Sequence, residues 1–155
     1  MAALALIEAI TQALAWELTH DESVLILGED VGVNGGVFRA TAGLQQRFGA
    51  ERVLDTPLDE TTIAGLTVGL AAQGMKPVAE VQFDGFVYPM LDHLICHAAR
   101  FRTRTRGSRA LASTLLLLTP AWLVHFGSAP LTEPGASPIL EPWAVGDGDR
   151  GSAHP

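Results

Sequence analysis

The chain has 155 residues, of which 48% are hydrophobic and 17% are charged, and its formal net charge is −7. This length predicts one domain with a buried core, and the acidic balance argues against a nucleic-acid binder, which needs a basic face. No stretch approaches the roughly 20 apolar residues of a membrane span. Glu8 interrupts the apolar N-terminus, which is therefore not typical of a signal peptide, and the single cysteine, Cys96, fits a reducing compartment. We expect a cytoplasmic protein.

The first part of the chain predicts two helices that alternate with two strands. Apolar side chains recur at helical spacing over residues 3–19 and predict an amphipathic helix; they are Ile7, Ile10, Leu14 and Leu18. Residues 24–27 are a continuous apolar run, as in a strand that is buried on both faces. Residues 40–48 predict a short helix that ends at Gly49, and residues 52–54 predict the second strand.

The same alternation continues. Residues 60–73 predict a helix of small residues that Gly74 closes, and residues 77–82 predict a third strand. Residues 88–102 predict a further helix, and residues 114–118 a fourth strand. Strands that alternate with helices predict an α/β domain in which helices cover both faces of a parallel sheet.

The composition changes after Gly107. The residues that follow contain six of the nine prolines, four of which recur every fourth position from Pro130 to Pro142. Such a segment does not favour helix or strand. We therefore predict a partial α/β domain over residues 1–119 and an irregular, disordered tail rich in proline and glycine over residues 120–155.

The candidate ligand site lies at one edge of the predicted sheet. Ligands of parallel sheets bind outside the carboxyl ends of the strands, and Glu29, Glu60 and residues 82–86 all follow strands at that edge. By itself, Glu60 has a plainer reading, because an acidic residue in the first turn of a helix also stabilises the helix dipole. Glu29 could likewise be a solvated loop residue.

Aromatic side chains also follow the third strand, namely Phe83, Phe86 and Tyr88. They are either core packing or a flat wall for a planar heterocycle. On the next predicted helix, His93 and His97 are four residues apart, but no third ligand is nearby, so we predict no metal site.

Several strings together resemble the β subunit of the thiamine-diphosphate-dependent 2-oxo acid dehydrogenases, which act on pyruvate or branched-chain 2-oxo acids. They are LGEDVG at 27–32, GGVFRATAGL at 35–44, RVLDTPLDE at 52–60, the helix at 63–74 and PVAEVQFDGF at 77–86. The resemblance covers roughly residues 4–107, and the second and last strings favour the bacterial branched-chain type. It implies a transketolase-like pyrimidine-binding domain that is incomplete at its C-terminal side.

The resemblance also implies roles for individual residues. Glu60 matches the glutamate that bonds N1′ of the aminopyrimidine of thiamine diphosphate, and Glu29 matches an acidic residue that relays protons between paired sites. Phe86 matches the aromatic residue that packs on the aminopyrimidine. Leu58, Ile63 and Gln82 are implied as further cofactor contacts.

The resemblance implies two partners: an α subunit, in an assembly of two α and two β subunits, and a lipoyl acyltransferase core. The resemblance implies that the α partner holds Mg²⁺ and the diphosphate, so no metal ligand is expected in this chain. Because family sequence is not apparent after about residue 107, we interpret the chain as truncated or shifted in reading frame there, and we expect little activity from the chain alone. Two alternatives remain: a non-catalytic fragment of this family, and half of another transketolase-like enzyme.

Overall fold

A computed structural model of the chain describes residues 5–117 and 124–127. The first helix, α1, spans Leu6–His20 and buries Leu14 and Leu18 on the face that the sequence predicts. The first strand, β1, spans Val24–Gly28 and is buried along its whole length, as a strand covered on both faces should be.

Five strands form one sheet. The other four are β2 (Val53–Asp55), β3 (Lys76–Val81), β4 (Ala112–Leu117) and β5 (Val124–Gly127), and the order across the sheet is β2-β1-β3-β4-β5. The first four strands pair in parallel, whereas β5 is antiparallel to β4. The predicted parallel sheet is confirmed.

Helices cover both faces of this sheet. On one face, α1 and α2 (Leu44–Phe48) pack over a core cluster that includes Ile26 and Val53. On the other face, α3 (Glu60–Ala72) packs Ile63 and Ala64 over Leu25, Leu27 and Val81. The two clusters arise because successive side chains of a strand point to opposite faces, and they confirm the predicted α/β architecture.

The helix predicted over residues 40–48 is shorter in the structure. Gly43 precedes α2 with a φ of 75°, in the left-handed region, so the helix begins only at Leu44. Residues before Gly43 belong to the loop that follows β1. Gly49 ends the helix as predicted.

The single helix predicted over residues 88–102 is wrong. The chain instead forms a 3-10 helix over Asp84–Met90, a π-helix over Asp92–Ala98 and a short helix, α4, over Phe101–Arg104. Pro89 has no N–H group to donate in a continuous α-helix. The Ala99 amide donates to the Leu94 carbonyl at 2.9 Å, a five-residue spacing that defines the π turn.

The tail differs from the prediction in one segment. Residues 124–127 were expected to be irregular, yet β5 lies there and pairs Gly127 with Ala112. The strand forms because the backbone of β4 offers an open edge, which local composition does not reveal. The predicted boundary at residue 119 and the remainder of the tail lie outside the described residues. Over the described parts of the chain, no helix is long and apolar enough to cross a membrane.

Candidate functional site

Three chain segments meet at the carboxyl edge of the parallel strands. Gly28 at the end of β1 pairs with Asp55 at the end of β2, and β3 ends alongside at Val81. The next residues along the chain carry Glu29, the β2–α3 loop that leads to Glu60, and Gln82. The structure therefore brings the sequence-predicted acidic residues to one edge, because all strands of a parallel sheet end on the same side.

Glu29 is a buried carboxyl group. Its side chain is 5% exposed, and its Oε1 has no hydrogen-bond partner among the described residues. Burial raises the pKa of Glu29, and the negative charges of Glu60, Asp30 and Asp59 raise it further. A carboxyl group in this position holds its proton at higher pH than a solvated glutamate does.

Glu60 is the first residue of α3 and is partly buried. Asp59 caps the helix, because its Oδ1 accepts a hydrogen bond from the Thr61 amide at 3.1 Å. The Thr62 hydroxyl donates to the other Asp59 oxygen, and this hydrogen bond lowers the pKa of Asp59. Because Asp59 caps the helix, Glu60 does not have that role. The negative charge of Glu60 instead acts on Glu29 and helps to raise the pKa of Glu29.

The loop that carries Glu29 is fixed by contacts from the neighbouring strand. Asp55 Oδ1 accepts a hydrogen bond from the Gly32 amide at 2.6 Å, and the Thr56 amide donates to the Gly28 carbonyl at 2.9 Å. A side chain at position 32 would collide with Asp55 and Gln45, since a Cβ there would lie 2.4 Å from Asp55 Oδ2. Asp55 and Thr56 thus join the loop that carries Glu29 to the segment that leads to Glu60.

Aromatic rings form a wall beside this edge. The Phe83 and Phe86 rings meet edge to face with centroids 5.5 Å apart, and Phe38 meets Phe83 at 5.7 Å. Phe83 is 38% exposed and Phe86 is 44% exposed, so both rings keep area available to a planar ligand. Tyr88 is 72% exposed and is further from core packing than either of them.

The three further predicted cofactor contacts differ in how exposed their side chains are. Leu58 lies in the β2–α3 loop and is 81% exposed, whereas Ile63 is fully buried in the core on the α3 face of the sheet. Gln82 is partly buried directly after β3. The structure brings Gln82 and Leu58 to the site edge, but it places Ile63 beneath that edge.

Three groups near the site were missed by sequence reasoning. Phe38 joins the aromatic wall from the loop after β1, Thr56 buries a hydroxyl oxygen that has no partner among the described residues, and Glu80 buries both carboxyl oxygens in the same condition. Only Glu80 had a local signal, because it stands between the apolar residues Ala79 and Val81 in the buried part of β3.

The histidines on the π-helix lie beside α3, where a Cβ at Gly65 would lie 3.5 Å from the His93 ring. The His93 and His97 rings are 5.5 Å apart, and His97 Nε2 lies 3.7 Å from Asp92 Oδ2. Within residues 5–117 and 124–127, no group of three or more histidine, cysteine, aspartate or glutamate side chains has the arrangement of a metal site.

The fold and the acidic edge agree with one family. Residues 2–119 match the family described as "Transketolase, pyrimidine binding domain", and the chain belongs to this family. The match reaches beyond the boundary near residue 107 that the sequence strings indicated.

Curated relatives define the branch of this family. The chain is 57% identical over 107 residues to a pyruvate dehydrogenase E1 component subunit beta of Bacillus subtilis, covering 69% of this chain and 33% of that relative. It is 55% identical over 104 residues to a 3-methyl-2-oxobutanoate dehydrogenase subunit beta of Mycobacterium tuberculosis, covering 67% and 30%. A pyruvate dehydrogenase E1 component subunit beta of Acholeplasma laidlawii is 50% identical over 117 residues, covering 76% and 36%. The resemblance to β subunits of 2-oxo acid dehydrogenases is confirmed, and the chain spans about a third of the length of these relatives.

Proposed function

We propose that this chain binds the aminopyrimidine of thiamine diphosphate as a β-type chain of a 2-oxo acid dehydrogenase. The observation that carries the proposal is the pairing of Glu29 with Glu60 at the carboxyl edge, where the charge of Glu60 acts on the buried Glu29. Two neighbouring carboxyl groups, one of them buried, suit a ligand that must gain and lose protons.

The residues at this edge fit an aminopyrimidine. Glu29 Oε1 is buried and lacks a hydrogen-bond partner among the described residues, as expected of an atom that a ligand or a bound water satisfies. Phe83 and Phe86 offer partly exposed rings to a flat heterocycle. Thiamine diphosphate, when bound, supplies the reactive carbon and the electron sink for decarboxylation.

Each acidic residue has a distinct part in this proposal. Glu60 extends from the first turn of α3 and would accept the hydrogen bond of a ring N–H of the pyrimidine. Glu29, whose burial favours its neutral form, would store a proton beside Glu60 and exclude water from it. Phe86 would hold the plane of the ring, and Leu58 and Gln82 would bound it on the outer side.

The partners and substrate extend the proposal beyond this chain. An α-type subunit would bind Mg²⁺ and the diphosphate, and a lipoyl acyltransferase would take the acyl group after oxidative decarboxylation. A branched-chain 2-oxo acid is our first choice of substrate and pyruvate the second, on the strings at residues 35–39 and 82–86. The cytoplasm is the proposed location, since the single cysteine suits a reducing compartment.

The test uses the full chain co-expressed with an α-type subunit of a 2-oxo acid dehydrogenase. Thiamine diphosphate binding to the purified complex is measured by titration calorimetry in the presence of Mg²⁺, and kcat/KM is compared for 3-methyl-2-oxobutanoate and pyruvate. Glu60→Gln should weaken cofactor binding at least tenfold, since the amide removes the charge that strengthens the ring hydrogen bond. Glu22→Gln, an exposed carboxylate before β1 at the opposite edge, should leave binding unchanged.

The outcomes separate the alternatives. Binding that Glu60→Gln and Glu22→Gln affect equally would overturn the assigned role of Glu60. A complex that binds no cofactor would favour the non-catalytic alternative, and a higher kcat/KM for pyruvate would reverse the substrate order.

A further inference from the structure

Glu80 is a buried carboxyl group that the proposed site does not use. It lies within β3, is 1% exposed, and neither carboxyl oxygen has a hydrogen-bond partner among the described residues. Its neighbours Ala79 and Val81 point into the core on the α3 face, so Glu80 points to the opposite face, where the loop after β1 lies. An unpaired buried carboxyl destabilises a fold, and its position therefore calls for an explanation.

Two glycines make the space that Glu80 occupies. A Cβ at Gly28 would lie 2.9 Å from the Glu80 carbonyl oxygen and 3.0 Å from the Glu80 Cβ. A Cβ at Gly36 would lie 2.5 Å from Glu80 Oε1 and 2.9 Å from Oε2. Gly36 also has a φ of 74°, a left-handed conformation that favours glycine. The main chain and Cβ of Glu80 thus lie against Gly28 at the start of the loop that carries Glu29, and its carboxyl group lies against Gly36 in the middle of that loop.

The loop over this carboxyl is closed by its own hydrogen bonds. The Gly36 amide donates to the Asp30 carbonyl at 2.7 Å, and the Thr41 amide donates to the Gly35 carbonyl at 3.2 Å. The buried Thr41 hydroxyl donates to the Val31 carbonyl at 2.7 Å. Any movement of Gly36 away from Glu80 would therefore also shift Asp30 and its neighbour Glu29.

Among the described residues, no cation forms an ion pair with Glu80. In the loop, Arg39 is exposed and its guanidinium donates to the Asn34 carbonyl, while Glu29 and Asp30 are acidic. The strands on either side, β1 and β4, contain no ionisable residue. On α1, which packs on the same face, Glu8 accepts from the Ala5 amide and Glu17 is partly exposed; His20 lies at the far end of that helix. Burial alone raises the pKa of Glu80 to about 7.

We infer that Glu80 is a positioning residue whose neutral form seats the loop between Gly28 and Thr41 on the sheet and thereby places Glu29 at the carboxyl edge. A neutral carboxyl group fits against Gly36 without a counter-ion. Ionised Glu80 needs water or a donor, and the loop covers the carboxyl group at Gly36. The effect of Glu80 on the loop does not depend on any ligand, whereas its effect on cofactor binding rests on the proposed function.

The first experiment follows the loop without any ligand. Amide hydrogen exchange of residues 29–42 is measured in the full chain between pH 5 and 8.5, corrected for the intrinsic effect of pH. Protection should fall about tenfold per pH unit up to about pH 7 and level off above it, because opening releases the Glu80 proton only while the closed form still holds it. Glu80→Gln, which stays neutral, should keep constant protection, and the control Glu51→Gln, exposed before β2, should behave as the unsubstituted chain. Equal pH dependence with and without Glu80 would overturn the inference.

A second measurement tests the inference without a variant, in case Glu80→Gln does not fold. The carboxyl carbon of Glu80 is titrated by NMR in the unsubstituted chain, together with the amide shifts of Gly35 and Gly36. A common midpoint supports the inference, and separate midpoints contradict it.

The link to the site is tested in the complex with the α-type subunit. The dissociation constant of thiamine diphosphate should rise above the Glu80 midpoint in the unsubstituted chain and stay flat in Glu80→Gln. If loop protection depends on Glu80 but the complex binds no cofactor, the inference is supported and the proposed function is contradicted. If the complex binds the cofactor but loop protection does not change with pH, the proposed function is supported and the inference is contradicted.

Discussion

Asp55 Oδ1 accepts a hydrogen bond of 2.6 Å from the Gly32 amide and so joins the end of β2 to the loop after β1. Asp55→Ala should lower the free energy of unfolding by about 1–3 kcal/mol, because the buried Gly32 N–H then loses its partner. Asp55→Asn keeps an acceptor oxygen and should cost less. Urea unfolding gives the stabilities, and equal losses in the two variants would show that the hydrogen bond is not the cause.

Gly36 and Gly43 offer a matched pair of left-handed glycines. Their φ angles are 74° and 75°, but a Cβ at Gly36 would meet the Glu80 carboxyl, whereas a Cβ at Gly43 would meet nothing within 4 Å. Gly43→Ala should cost about 1–2 kcal/mol of stability for the backbone conformation alone. Gly36→Ala should cost about 1–3 kcal/mol more, for overpacking.

The excess cost at Gly36 should depend on Glu80. In a Glu80→Ala background the difference between Gly36→Ala and Gly43→Ala should shrink, because the colliding oxygens are gone. A double-mutant cycle measures this coupling. Additive losses would mean that the Glu80 side chain does not press on Gly36.

Global stability should depend on pH through Glu80. The pKa of Glu80 in the folded state, about 7, lies above the ordinary glutamate value of 4.5, so the folded state binds the proton more tightly than the unfolded state does. The contribution is fully present below pH 4.5 and is lost progressively as pH rises through 7, up to about 3 kcal/mol in all. Urea unfolding at pH 5, 6, 7 and 8 should show this slope, and Glu80→Gln should remove it. A slope that persists in Glu80→Gln would assign it to another group.

The two site glutamates should titrate as neighbours. Glu60→Gln removes a negative charge beside Glu29 and should lower the pKa of Glu29, although burial, the larger cause, keeps that pKa raised. The carboxyl carbon of Glu29, followed by NMR, reports the shift. Asp30→Asn should act in the same direction and Glu51→Gln should have no effect. An unchanged Glu29 midpoint in Glu60→Gln would place the two carboxyl groups further apart than the structure does.

Local pattern was sufficient for most of the described fold. The apolar face of α1 and the continuous apolar run of β1 predict both elements, because side-chain periodicity follows directly from helix and strand geometry. The alternation of strands and helices predicts the parallel sheet, and the parallel sheet in turn brings Glu29 and Glu60 to one edge. Pattern failed over residues 84–104, where Pro89 divides an apparently helical run into 3-10, π and α turns.

The sequence by itself determined the class of fold and the edge of the sheet at which Glu29 and Glu60 lie, since both depend on local periodicity and strand order. Only the tertiary structure decided that Ile63 lies in the core, that Phe38 joins Phe83, and that β5 pairs with β4. It also decided the setting of Glu80, which in sequence is one acidic residue in a strand. Contact with Gly28 and Gly36 makes it a buried group, because burial depends on residues far along the chain that only folding brings together.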